Sequence, residues 1–65
     1  MQLVINGKKH STYSKKLHEI LNELKLTNNN FAIAVNEVFI PKNKYTTLTL
    51  NENDQIEVLS PMQGG

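Results

Sequence analysis

Leu17-His18-Glu19-Ile20-Leu21-Asn22-Glu23-Leu24 decides the fold. Leu17, Ile20, Leu21 and Leu24 fall at i, i+3, i+4 and i+7, which is one apolar face of a helix. His18, Glu19, Asn22 and Glu23 point away from it. Ser14 offers a hydroxyl that can accept from an otherwise unpaired N–H and so cap the helix. Lys15 and Lys16 sit badly near the positive end of the dipole, which moves the start towards Lys16 and puts Glu19 in the first turn. The helix is expected to stop by about Lys25, before Thr27 and the loop-like run Asn28-Asn29-Asn30. The remaining apolar residues fall in short, strand-like segments. One helix covers only one face of a sheet, so the expectation is a two-layer α+β domain with four or five strands.

Upstream, residues 2–6 alternate around Leu3 and Ile5 and read as a strand. Asn6-Gly7 follows, and both residues tolerate positive φ, the strongest short hairpin signal. The return strand, about residues 8–13, is polar, and Lys8 and Lys9 mark it as an edge. Downstream, residues 31–35 form a second clear strand, with Phe31, Ile33 and Val35 on one face and Ala32 and Ala34 on the other. Asn36-Glu37 turns the chain into Val38-Phe39-Ile40, which Pro41 ends because it cannot donate to a sheet ladder. Residues 42–45 read as irregular or a single turn, and residues 47–50 as a further short strand. Residues 51–54 form a turn with Asn53 in the left-handed position. Residues 55–59 close the sheet. The expected core is Leu3, Ile5, Leu17, Ile20, Leu21, Leu24, Ile33, Val35, Ile40, Leu48, Leu50, Ile56 and Val58.

The second face of the sheet has no helix to cover it. Alternation puts Val4 and Leu59 there, with Ala32, Ala34 and Phe39 near them. Isolated exposed apolar residues are ordinary. The functional reading is a partner-binding surface of Val4, Phe39, Leu59 and Met62 that leads to the last residues, Ser60-Pro61-Met62-Gln63-Gly64-Gly65. A Gly-Gly end reads either as a frayed linker or as a reactive arm. The domain is expected to span residues 1–60, with a flexible tail at 61–65.

Composition narrows the chemistry. A chain of 65 residues buries only ~60% of its extended surface, which leaves one thin core and no room for a deep substrate cavity. With no cysteine, thiolate metal sites, disulfides and a protein-borne persulfide are excluded. The net charge of +1 provides no basic footprint for nucleic acid. No apolar run approaches ~18 residues, so a soluble protein without a membrane span or secretory leader is expected. His10 and His18 are distant in sequence, lack a third ligand and read as surface residues rather than a metal site. No nucleophile–base pair or phosphate-cradling loop is present.

Together these pieces resemble the ThiS family of sulfur carriers in thiamine biosynthesis. Residues 1–7 look like the family's first hairpin, and Leu17-His18-Glu19-Ile20-Leu21 resembles its helix signature. Ala32-Ile33-Ala34-Val35-Asn36, then Ile40-Pro41-Lys42 and Tyr45, resemble its Ala-Val-Asn, Val-Pro-Arg and aromatic pattern. Residues 50–57 resemble its acidic turn and last strand, and Gly64-Gly65 completes the set. Glu37 departs from a common Gly, Lys42 from a common Arg, Tyr45 from a common Trp and Asn53 from the usual Gly of the acidic turn.

The resemblance implies a ubiquitin-like β-grasp fold with a mixed sheet and one helix on one face. It also implies a role for the carboxyl of Gly65. In the family a ThiF-like adenylating enzyme, using ATP and magnesium, joins this carboxyl to AMP. A sulfur donor protein then displaces AMP to leave a thiocarboxylate. A ThiG-like thiazole synthase takes that sulfur for thiazole. The chain is then a cytoplasmic carrier rather than an enzyme, monomeric when free and binding no cofactor itself. Gly64, Gln63 and Met62 would thread with Gly65 into the partner's channel, since Gly lacks the Cβ that would block a narrow passage. Residues 61–65, fully extended, reach at most about 17 Å. Glu52, Asp54 and Glu57 read as a solvated acidic turn or as charge offered to the activating enzyme. The alternatives are a molybdopterin-type carrier (the MoaD family), a ubiquitin-like protein modifier, and a β-grasp interaction module with an inert tail.

Overall fold

The computed structural model describes residues 1–26 and 31–59. The elements are β1 (Gln2–Ile5), β2 (Lys8–Ser11), α1 (Leu17–Glu23), β3 (Ala32–Val35), β4 (Val38–Ile40), a 3-10 turn at Lys42–Lys44, and β5 (Gln55–Leu59). The five strands form one sheet in the order β2-β1-β5-β3-β4. β5 runs parallel to β1 and antiparallel to β3, so the sheet is mixed, and α1 packs on one face. This is the β-grasp arrangement expected from the sequence. The expected boundary at residue 60 and the tail at 61–65 lie outside the described residues. Among the described residues, no helix is long and apolar enough to cross a membrane.

Two hairpins of the same construction dock on β5. Ile5 pairs with Lys8 and Val35 with Val38, so each hairpin turns on two residues. Asn6 and Gly7 have φ of 51° and 82°; Asn36 and Glu37 have φ of 51° and 71°. Positive φ at both central positions defines the type I′ turn, whose twist matches that of the flanking strands. Both asparagines then reach across to β5. Asn6 Oδ1 accepts the Val58 N–H at 2.9 Å, and Asn36 Oδ1 accepts the Gln55 N–H at 3.0 Å. Their backbone N–H groups donate to Ile56 and Gln55 carbonyls at 2.9 and 2.7 Å. Asn is thus selected twice over, for its tolerance of the left-handed region and for its side-chain oxygen. Glu37 has no such reason to occupy a left-handed position.

The helix is held at its start by tertiary contacts rather than by a side-chain cap. Lys16 occupies the N-cap position with no side-chain cap bond. The Leu17 and His18 N–H groups donate to Leu48 and Tyr45 carbonyls at 3.1 and 3.0 Å. The loop before β5 therefore satisfies two donors that a cap would otherwise serve. The expected Ser14 cap is wrong for this reason. The Ser14 hydroxyl instead donates to Glu23 Oε2 at 2.9 Å. At the other end Lys25 has φ of 61°. Its N–H donates to the Asn22 carbonyl, and the Leu26 N–H donates to the Leu21 carbonyl, both at 3.0 Å. This pair of bonds is the Schellman motif, built here on a lysine where glycine is usual.

Glu23 ties the helix to β2. Its carboxylate meets His10 Nε2 at 3.1 Å and accepts from the Thr12 hydroxyl at 2.7 Å as well as from Ser14. These partners, His10 foremost, hold the Glu23 carboxyl below its ordinary value although burial pulls it upward. Thr12, which follows β2 rather than extending it to Tyr13, is buried.

The core is Leu3, Ile5, Leu17, Ile20, Leu21, Ile33, Val35, Leu50 and Ile56. Leu24, Ile40, Leu48 and Val58 pack on it while partly exposed, so all thirteen expected side chains point inward. Met1, Leu26, Phe31 and Tyr45 join its rim, and the Phe31 and Tyr45 rings stack at 6.3 Å. Residues 47–50 do not form the expected strand. The Thr47 and Leu48 N–H groups turn back to the Lys44 carbonyl, at 3.2 and 2.9 Å, and only Thr49 bridges to Lys16. This segment follows the helix start instead of the sheet, and still buries Leu50.

Two predictions follow from these strained and paired positions. Glu37→Gly and Lys25→Gly should each raise the free energy of unfolding by about 0.5–1 kcal/mol. Relief of left-handed strain exceeds the entropy that glycine adds to the unfolded chain; urea midpoints at constant m measure this. The lowered Glu23 value stabilises the fold above the ordinary carboxylate range near ~4.3, and that stabilisation is lost as pH falls through the folded value. Glu23→Gln should therefore melt lower at neutral pH and show a shallower fall in Tm on acidification than the wild type.

Candidate functional site

The face of the sheet opposite α1 is assembled by strand alternation. It presents Lys9 and Ser11 from β2, Gln2 and Val4 from β1, and Gln55, Glu57 and Leu59 from β5. Ala32 and Ala34 from β3 and Phe39 from β4 complete it. Ala34 stands directly opposite both Phe39 and Glu57, and Ala32 directly opposite Leu59. Phe39, Ala34, Ala32 and Leu59 are therefore one contiguous apolar strip. Phe39 is 63% exposed and Leu59 52%, whereas Ala34 is 8% exposed. Two small alanines form the floor and two large side chains stand at its margins. Such a shallow trough suits a partner surface better than a small ligand.

The structure brings together two of the expected partner-binding residues and separates a third. Phe39 and Leu59 border the strip. Val4 lies beside Gln55, at the opposite end of β5 from Leu59. Four residues at ~3.3 Å each put about 13 Å between the two positions. Val4 is also only partly exposed, among polar neighbours. Met62, Gln63, Gly64 and Gly65 lie outside the described residues.

The three acidic residues near the last turn separate into distinct environments. Glu52 Oε2 accepts the Gln2 N–H at 3.0 Å. Asp54 accepts the Asn51 N–H at 2.8 Å and the Asn36 amide at 3.0 Å. Both carboxylates shape the turn that admits β5 to the sheet. Glu57 stands apart, exposed on the open face at the edge of the apolar strip. Chain proximity groups the three; the alternation that places Leu59 on the open face also places Glu57 there, and that was the signal to read.

Other clusters are less suited to chemistry. A hollow of about 380 Å³ is lined by Met1, Gln2, Ser11, Thr12, Tyr13 and Glu52, and its carboxylate is the one already engaged by Gln2. His10 is engaged by Glu23, while His18 Nδ1 is buried without a hydrogen-bond partner among the described residues. Among the described residues, no group of three His, Cys, Asp or Glu side chains could hold a metal ion.

Comparison with known proteins gives concordant results. The sequence profile of the ThiS family matches residues 3–65. The crystal structure of the thiamine biosynthesis protein ThiS from Geobacter metallireducens superposes with a TM-score of 0.84, at 25% identity over 100% of both chains. A thiazole synthase from Paramagnetospirillum magneticum is 30% identical over 66 residues, covering 100% of this chain and 20% of that protein. The chain thus spans about a fifth of the length of this curated relative.

The open face and the covered face should respond differently to substitution. Phe39→Ser and Leu59→Ser, on exposed side chains, should each shift stability by no more than about 0.5–1 kcal/mol. Ile56→Ala, one residue from Glu57 but facing the helix and 1% exposed, should cost about 2–5 kcal/mol. Chemical denaturation of the three variants tests the contrast.

Proposed function

The chain belongs to the ThiS family, and we propose that it is a sulfur carrier of thiamine biosynthesis whose working group is the carboxyl of Gly65. The observation that carries this reading is a family match running from residue 3 through Gly65, the second glycine of the Gly64-Gly65 pair. The carrier needs no catalytic side chain of its own. A carboxylate is ionised at neutral pH and is a poor acyl donor. A ThiF-like enzyme using ATP and magnesium attaches AMP to one carboxyl oxygen, releasing pyrophosphate and creating a good leaving group. The outer sulfur of a donor-protein persulfide attacks the acyl carbon and AMP departs, giving an acyl disulfide. A second thiol of the donor then attacks the donor-side sulfur, which closes a disulfide on the donor and releases the thiocarboxylate. A ThiG-like thiazole synthase then takes the sulfur for thiazole.

The fold supports a handle-and-arm division of labour. β5 lies between β1 and β3, and residue 60 follows directly from it. Met62, Gln63 and Gly64 precede the reactive carboxyl, and small glycines suit passage through a narrow channel. The apolar strip of Phe39, Ala34, Ala32 and Leu59 offers the docking area that offsets the ordering of the arm, a cost of ~1–2 kcal/mol per residue. A thiazole synthase that contains a similar segment within its own sequence supports a partner of that kind. Carrier action then consists of being a co-substrate, and its dependence on ATP fits the cytoplasm.

Intact mass after incubation with ATP, a sulfur source and the ThiF-like enzyme tests the proposal. One oxygen should be exchanged for sulfur at the carboxyl terminus, located by fragmentation to Gly65. Higher-mass conjugates would instead indicate a protein modifier, and an unchanged mass with an active enzyme would indicate an interaction module. Gly65→Ala should keep the wild-type Tm and lose thiocarboxylation; undiminished thiocarboxylation would count against the threading role of the terminal glycine.

A further inference from the structure

Glu57 is a carboxylate without an assigned task. The other two acidic side chains near it are engaged by backbone and amide groups of the chain itself. Glu57 faces away from the core, in the middle of the central strand, directly opposite Ala34 and in the same cross-strand row as Phe39. Among the described residues its side chain forms no hydrogen bond or salt bridge. Of the lysines in the strands, the one on this face, Lys9, lies two strands away and one row removed, roughly 12 Å by strand spacing and rise. The margin of the apolar strip therefore carries a carboxylate with no hydrogen-bond or ion-pair partner among the described residues. Any surface that covers the strip must also remove water from that carboxylate, and a buried carboxylate left without a partner is strongly unfavourable.

Resting on the carrier reading above, we propose that Glu57 selects the protein partner. It does so by demanding an arginine or lysine set within an otherwise apolar patch of the activating enzyme, placed to meet the carboxylate beside the Phe39–Leu59 strip. The apolar strip provides area without discrimination. The carboxylate provides register along β5, and thereby fixes where the segment that follows Leu59 enters the partner. A neutral or acidic patch of equal shape would be rejected, because it would leave the Glu57 charge desolvated and unpaired. A second copy of this chain is a poorer occupant. Its own open face repeats the acidic centre, and its Lys9 lies on the outer strand.

Titration calorimetry of the full-length chain with the ThiF-like enzyme at two salt concentrations tests this, with Tm measured for every variant. Glu57→Gln keeps size and hydrogen-bonding capacity and should weaken binding about tenfold; Glu57→Lys should weaken it about a hundredfold or more. Both should retain the wild-type Tm within a few degrees, and Glu57→Gln should show a smaller loss of affinity with salt than the wild type. Glu19→Gln, on the exposed face of α1, should bind as the wild type does. If the wild type binds and Glu57→Gln binds within twofold of it with the same salt dependence, the role of Glu57 is overturned while the carrier reading stands. If the wild-type chain fails to bind an active enzyme, both are overturned. Concentration-dependent doubling of mass without the enzyme, abolished by Glu57→Gln, would assign the face to a second copy instead.

Discussion

The backbone of β5 is bonded on both sides, and the rest of the structure depends on that. On one side it runs parallel to β1, on the other antiparallel to β3. Parallel neighbours cannot be joined by a tight turn, so the chain between β1 and β5 has to leave the sheet and return. It uses that excursion to build everything else: the edge strand β2, the helix, and the second hairpin. The last strand formed in sequence is thus the one that unites two hairpins which share no ladder of their own. Asn6 and Asn36 complete this union with side-chain oxygens that accept β5 N–H groups. A chain this small has few core residues with which to resist opening, so polar bonds that fix register matter more than they would in a larger domain.

A sheet with one helix has two unlike faces. Ile33, Val35, Ile56 and Leu3 turn towards α1 and are nearly inaccessible; Ala32, Ala34, Glu57 and Leu59 alternate with them and face outward. The same strand therefore anchors the fold with one set of side chains and presents a surface with the other. That coupling suits a carrier. The proposed docking strip includes Leu59, the last residue of β5, and the carboxyl proposed to react belongs to the chain that continues from that strand. The helix has a supporting role, and it is fastened to the domain at both ends, by the 45–48 carbonyls at its start and by the Glu23 cluster near its end.

Where local chemistry was decisive, the sequence was legible. Asn6-Gly7 and Asn36-Glu37 are both turns of the expected kind, and Asn53, with φ of 69°, occupies the left-handed position assigned to it. Period-two alternation and the Leu17–Leu24 spacing were sufficient to list the core. Ser14 and residues 47–50 were misread for one shared reason. Both readings treated a segment as though only its neighbours in sequence could satisfy its backbone. The helix start and the 45–50 loop satisfy one another across the fold, which frees the Ser14 hydroxyl for Glu23 and leaves Thr49 with a single bridge. The candidate docking surface was half legible. Phe39 and Leu59 fall together, but Val4 shares their face without sharing their neighbourhood, because a pattern of alternation gives the face and not the distance along it.

By itself the sequence determined the class of fold, the inward-pointing residues, the turns and the family pattern that ends in Gly64-Gly65. These follow from periodicity and from backbone preferences, which act over a few residues and are written locally. Only the tertiary structure decided the strand order, and with it which outward-facing residues are neighbours. It gathered Phe39, Ala34, Ala32 and Leu59 into one strip, moved Val4 away from it, and separated Glu57 from the two carboxylates nearest in sequence. Those outcomes depend on pairing between segments some twenty to fifty residues apart. The free energy that selects such pairings comes from burying the whole core at once, and no short stretch of the chain contains it.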